Sequence, residues 1–251
     1  MRAMDRLTLP IVVTLSVAAF AWPLLIGSTT IAASGAAQFA FLILMPALVA
    51  LLFIHATRHG LDAREIGLLG VLIGVNSVAR LLGAGTAGLE TVFFLILIGG
   101  YAFGPAFGYL IGAGSLLVSA LISGGVGPWL PYQMMAAGLL GLLAGMLPKP
   151  SSMVARRVTL ATFAVPAAYL YGALMTLWNW PFLAGAGGTL GYRAGAGIGE
   201  NLTRFIGYEF ATGGILWDTG RAVITVVLVW LTAPALLTTL NRAARRAGFE
   251  N

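Results

Sequence analysis

Residues 93–147 read FFLILIGGYAFGPAFGYLIGAGSLLVSALISGGVGPWLPYQMMAAGLLGLLAGML. Three apolar runs lie here, parted by Gly104-Pro105 and by the turn-rich stretch GGVGPWLP at 124–131. Proline removes a backbone donor and disfavours helix in the residue before it, so each break closes one helix and opens the next. Small residues recur every fourth position: Gly104, Gly108 and Gly112 on one run, Ala137, Gly141 and Gly145 on the following one. A period of 3.6 residues gathers such positions on one face, where two backbones approach closely in lipid and gain van der Waals contact. Helices of this kind define an all-α, polytopic membrane helical bundle.

Composition extends that reading to the whole chain. Of 251 residues, 59% are hydrophobic and only 9% are charged, and mean hydropathy is +0.94. A soluble domain carries about 25% charged residues, so too few are present to clothe a water-facing surface. The length is better read as spans of about 20 residues each. Eight apolar segments are predicted, at 9–26, 37–54, 66–82, 89–103, 106–123, 132–147, 158–179 and 222–240. One long connection, rich in Gly and mixed in charge, runs over 180–221. The first segment has basic flanks like a secretory signal, but its apolar run exceeds the usual 7–15 residues. It reads as an uncleaved helix.

The net charge of +6 invites a nucleic-acid reading. Its placement favours the positive-inside rule instead. With the N-terminus in the cytoplasm and eight crossings, ten of the fourteen Lys and Arg fall inside. These are Arg2, Arg6, Arg58, Arg64, Lys149, Arg156, Arg157, Arg242, Arg245 and Arg246; Arg80, Arg193, Arg204 and Arg221 fall at or beyond the outer ends of spans. A shifted helix count breaks this alternation. The expected location is the cell membrane, with both termini cytoplasmic and the basic tail against anionic lipid.

Several chemistries are disfavoured. The chain has no cysteine and only two histidines, His55 and His59, so no thiolate or histidine-rich metal site is expected. No His-Glu-x-x-His, Gly-x-Ser-x-Gly or carboxylate cluster within a span is present, and the chain is not expected to be an enzyme. The Gly-rich run at 185–191 lacks the Lys-Ser/Thr ending of a phosphate loop; it reads as an external loop closing over a pocket. No cofactor is implied.

Polar and aromatic residues gather at the outer ends of the later spans. Arg80 follows Asn76 by one turn, and Glu90 opens the next segment as an example of an ion-pair partner for Arg80. Trp129, Tyr132 and Gln133 flank the sixth segment; Trp178 and Asn179 end the seventh; Trp217, Asp218 and Arg221 precede the eighth. An aromatic belt at the interface explains any one of these rings. A pocket explains why all lie on one side, with ring faces for stacking and polar groups for orientation. Gly70 and Gly74 form a third small-residue stripe, on the segment 66–82. Packing within the chain accounts for two of the three stripes, leaving one as a partner-binding face.

The central stretch resembles the substrate-binding S component of energy-coupling factor (ECF) transporters, a kind of ABC importer for vitamins. The resemblance rests on Phe103-Gly104-Pro105 followed by Gly108, on Gly125-Val126-Gly127-Pro128-Trp129 before the next helix, and on Trp217-Asp218 with Arg221-Ala222 opening the last one. It covers about 66–246. It implies a six-helix core (61–251) preceded here by a two-helix extension (1–60), which departs from the family. It implies an outward pocket formed near the loops 83–88, 124–131 and 180–221, which bear Arg80, Glu90, Trp129, Tyr132, Gln133, Trp178, Asn179, Trp217 and Asp218. It implies a T component docking on the first core helix, where Gly70 and Gly74 match the family's Ala-x-x-x-Ala face in size and spacing. Two ABC ATPase subunits would supply energy, and the substrate would be a vitamin or a similar small molecule. The contrasting expectations are a structural or assembly role without ligand, and an enzyme acting on lipid.

Overall fold

The computed structural model describes residues 8–25, 63–83, 88–183 and 188–246, with the single positions 43, 47 and 50. The predicted segment 37–54, both histidines, and residues 84–87 and 185–187 of the two loops lie outside the described residues, apart from those three positions. Helices α1 (Thr8–Phe20), α2 (Trp22–Leu25), α3 (Ala63–Leu82), α4 (Phe93–Phe103) and α5 (Pro105–Ser123) come first. They are followed by α6 (Leu130–Gly145), α7 (Met153–Leu177), α8 (Trp180–Leu183), α9 (Ile198–Ala211) and α10 (Gly214–Arg246). No strand occurs among the described residues. The fold is an all-α helical membrane bundle. Four of the described helices, α3, α5, α7 and most of α10, are long and apolar enough to cross a bilayer.

Local chemistry sets the ends. Gly104, at φ 100°, separates α4 from α5, and Pro105 occupies the first position of α5, where its missing N–H has no intrahelical partner to lose. Gly124 closes α5 in the left-handed region, its N–H bonded to the carbonyl of Ala120, as a C-terminal glycine does. Helix α4 has 11 residues, too few to span on its own, but ten of them are buried. A helix apolar all round is a buried helix, and α4 packs among α5, α6 and α10.

Glycine brings these helices together. A Cβ on Gly100 or Gly108 would overlap the Gly141 carbonyl oxygen, and one on Gly141 would overlap that of Gly108. Added carbon on Gly112 would strike the Ala137 backbone, and on Gly145 the Gly104-Pro105 peptide. The two stripes on α5 and α6 therefore face each other inside the molecule. Burying apolar area gives no hydrophobic gain between helices already in lipid, so this close packing is what favours association. The stripe on α3 differs: a Cβ on Gly70 or Gly74 meets nothing within 4 Å among the described residues.

Two sequence expectations are corrected. The connection 180–221 contains α8 and α9, and α10 begins at Gly214 rather than at 222. The extra turns place Trp217, Asp218 and Arg221 on the helix instead of ahead of it. At 33 residues, α10 is about 50 Å long, well beyond the ~30 Å hydrocarbon layer. The N-terminal helices also contribute to the core: Ala19, Phe20 and Trp22 are buried, and the Trp22 indole donates to the Trp178 carbonyl at 3.0 Å.

Candidate functional site

Chain direction alternates through α3, α4, α5, α6, α7 and α10. The end of α3, the approach to α4, the end of α5, the start of α6, the end of α7 and the start of α10 thus share one end of the bundle. A cavity of about 410 Å³ opens there, lined by Arg80, Leu81, Gly83, Glu90, Ser123, Gln133, Tyr171, Met175 and Arg221. Its volume lies in the range of small-molecule pockets, roughly 300–1,000 Å³.

Arg221, in the second turn of α10, organises one wall. It is 4% exposed. Its Nη2 donates to Glu90 Oε1 at 2.9 Å, and its Nη1 donates to Asp218 Oδ1 and to the Ala168 carbonyl at 3.4 Å. Its guanidinium carbon lies 4.9 Å from the Tyr171 ring centre and 5.6 Å from that of Phe93. Those two rings meet edge to face at 4.6 Å. Charges this far from water need such partners, because an unpaired one would carry an uncompensated desolvation cost. Two glycines make room. Gly172 on α7 lies where a Cβ would overlap the Asp218 carboxylate. Gly88, at φ 78°, lets its segment come so close to α10 that a Cβ would overlap the Trp217 carbonyl oxygen. Glu90 then reaches Arg221 and also accepts from the Trp217 indole at 3.4 Å.

Arg80 does not pair with Glu90, contrary to the sequence expectation. Its Nη1 donates to Ser119 Oγ at 3.2 Å, and Glu90 pairs with Arg221 because α10 starts early enough to present it. Arg80 has no carboxylate partner among the described residues. Below it, Asn76 is fully buried with neither amide atom bonded among the described residues.

Of the nine substrate-site residues expected from sequence, Arg80, Glu90 and Gln133 line the cavity. Trp217 and Asp218 stand behind its wall through Glu90 and Arg221. Tyr132 and Trp178 do not line it; they stack at 3.9 Å and 9° within the core, with Phe20 edge-on to Tyr132 at 5.6 Å. Trp129 is half exposed, outside the lining, and Asn179 likewise contributes nothing to it. The lining residues missed are Leu81, Ser123, Tyr171 and Met175, with Arg221 noted but not assigned to the site. None of these four has a sequence signal of its own within or beside an apolar run.

The loop at 188–191 is held down by α9. Arg204 Nη1 donates to the carbonyls of Gly188, Thr189 and Gly191 at 3.3, 3.1 and 3.4 Å, and the Trp180 indole donates to Leu190 at 3.1 Å. At the opposite end of the bundle lie Lys149, Arg156, Arg157 and Arg242. Arg157 there donates to the Trp230 carbonyl at 2.6 Å and lies 4.4 Å from its ring centre. No group of three or more His, Asp or Glu residues suited to a metal occurs among the described residues.

Fold and cavity together define the class: an all-α membrane protein with a polar cavity at one end of its bundle. No family model, curated protein or solved structure matches the chain.

Proposed function

We propose that the chain is the membrane-embedded substrate-binding subunit of an ECF-type ABC importer. It captures a vitamin or vitamin-like micronutrient at the outer face of the cell membrane and delivers it inward with a T component and two ATPase subunits. The observation that carries the reading is the cavity of about 410 Å³ bordered by Arg80, Glu90, Gln133, Tyr171 and Arg221. Basic residues at the other end of the bundle support a cytoplasmic position for that end and hence for both termini. The face at Gly70 and Gly74, open among the described residues, supports α3 as the docking surface for the T component, since small residues let a partner helix approach.

The test is affinity purification of the full chain from its native membrane. A T component and two ATPases should co-purify, and a small organic molecule should be released on denaturation. Recovery of the chain alone, with no small molecule, would overturn the proposal. A structural or assembly role is favoured by one observation, the burial of the Tyr132–Trp178 stack in the core. On that reading Trp129, Trp178 and Asn179 variants lose stability, and no Arg80 variant changes uptake of any compound.

A further inference from the structure

Two arginines border the cavity, and their situations differ. Arg221 is neutralised by Glu90 and Asp218 and fixed between two rings. Arg80 gives one N–H to Ser119 and meets no carboxylate or carbonyl among the described residues, although a guanidinium carries five donors in a planar fork. Such a fork at the end of an apolar span matches an oxyanion, which accepts two parallel N–H bonds. Glu90 is similarly half used. Its Oε1 accepts from Arg221 and Trp217, while its Oε2 accepts nothing among the described residues and the side chain borders the same cavity. Among the charged groups that line the cavity or pair directly with its lining, Glu90 and Asp218 balance Arg80 and Arg221. A ligand of one net charge would upset that balance in a site poorly screened by water; a ligand carrying both characters would preserve it.

We propose that the cavity takes a small amphoteric molecule, with a carboxylate or phosphate against Arg80 and an N–H-bearing end toward Glu90. This rests on the substrate-binding reading above and narrows its chemical class. Tyr171 and Met175 supply the apolar wall beside these two polar ends. Soluble metabolites and lipid headgroups both carry such an acid group; the molecule proposed is the soluble one, because the cavity is sized for a small solute.

The experiment uses the full-length protein purified in detergent. The compound released on denaturation is characterised by mass and re-bound to ligand-free protein, alongside its methyl ester, which masks the acid. The expected compound is soluble and bears both an acid and an N–H group. Its ester should bind wild-type protein at least tenfold more weakly. Arg80→Gln should weaken the acid at least tenfold and bind acid and ester alike, and Arg80→Lys should recover part of the preference. The ester comparison on wild-type protein stands even if Arg80→Gln fails to fold. Release of a compound without an acid or without an N–H, equal binding of acid and ester, or release of a phospholipid would overturn this inference and leave substrate binding intact. Release of no compound would sink both.

Discussion

Arg221 joins two helices and the segment ahead of a third through one guanidinium: Asp218 on its own α10, the Ala168 carbonyl on α7 and Glu90 ahead of α4. Removing it strands two carboxylates, one of them 4% exposed. Breaking a buried pair from one side costs about 3–5 kcal/mol. Arg221→Met should therefore lower the melting temperature strongly, and adding Glu90→Gln and Asp218→Asn should recover much of the loss, as measured by thermal unfolding in detergent. Equal melting of the single and triple variants would contradict the pairing. Glu209, on α9, offers a second test. Burial raises its pKa, offset in part by the Thr176 hydroxyl and the Arg221 charge. The folded protein thus holds this proton to higher pH than the unfolded chain does. The resulting stability is complete below the ordinary glutamate value and is lost as pH rises through the raised one. As pH rises from the ordinary glutamate value of about 4.3, wild-type protein should lose melting temperature relative to Glu209→Gln.

Among elements, the α4–α5–α6 contact is close because glycine sets it. Gly141→Val should destabilise the protein by at least the 1–3 kcal/mol typical of overpacking, because its Cβ would meet backbone that has no rotamer to move. Gly70→Val, on a face where a Cβ meets nothing among the described residues, should melt like wild type. These helices were legible because apolar runs bounded by Gly-Pro leave few alternatives. Helix α9 was not, although Ile198, Leu202, Ile206 and Phe210 stand at helical spacing, because its charges and flanking glycines imitate a loop. The start of α10 was hidden for the same reason, so Trp217, Asp218 and Arg221 were placed before the helix. In the site, Arg80, Glu90 and Gln133 stood out as polar groups beside apolar runs. Tyr171 and Met175 did not, since a ring or thioether within a span is unremarkable. Nor can one sequence show that Tyr132 and Trp178 turn toward each other; that depends on how α6 and α7 rotate about their axes.

At the scale of the molecule, the chain sorts its polar groups by end. The cavity carries Arg80, Glu90 and Arg221, while Lys149, Arg156, Arg157 and Arg242 mark the far end. The chain has no cysteine, so single thiols can be introduced without background. Cysteines replacing Trp129 and Trp217, both substantially exposed, should react with a membrane-impermeant maleimide from the same side of sealed vesicles. A cysteine at Val154, which is 61% exposed near the far end, should react only from the other side. Labelling of Trp129 and Trp217 positions from opposite sides would leave no shared cavity.

The hydrogen bond from the Trp217 indole to Glu90 makes the protein its own optical sensor. The other five tryptophans are not among the lining residues, so their emission forms the background. A solute that draws the Glu90 carboxylate toward itself alters the field around the Trp217 indole, and occupancy becomes readable as a colour shift without any attached dye.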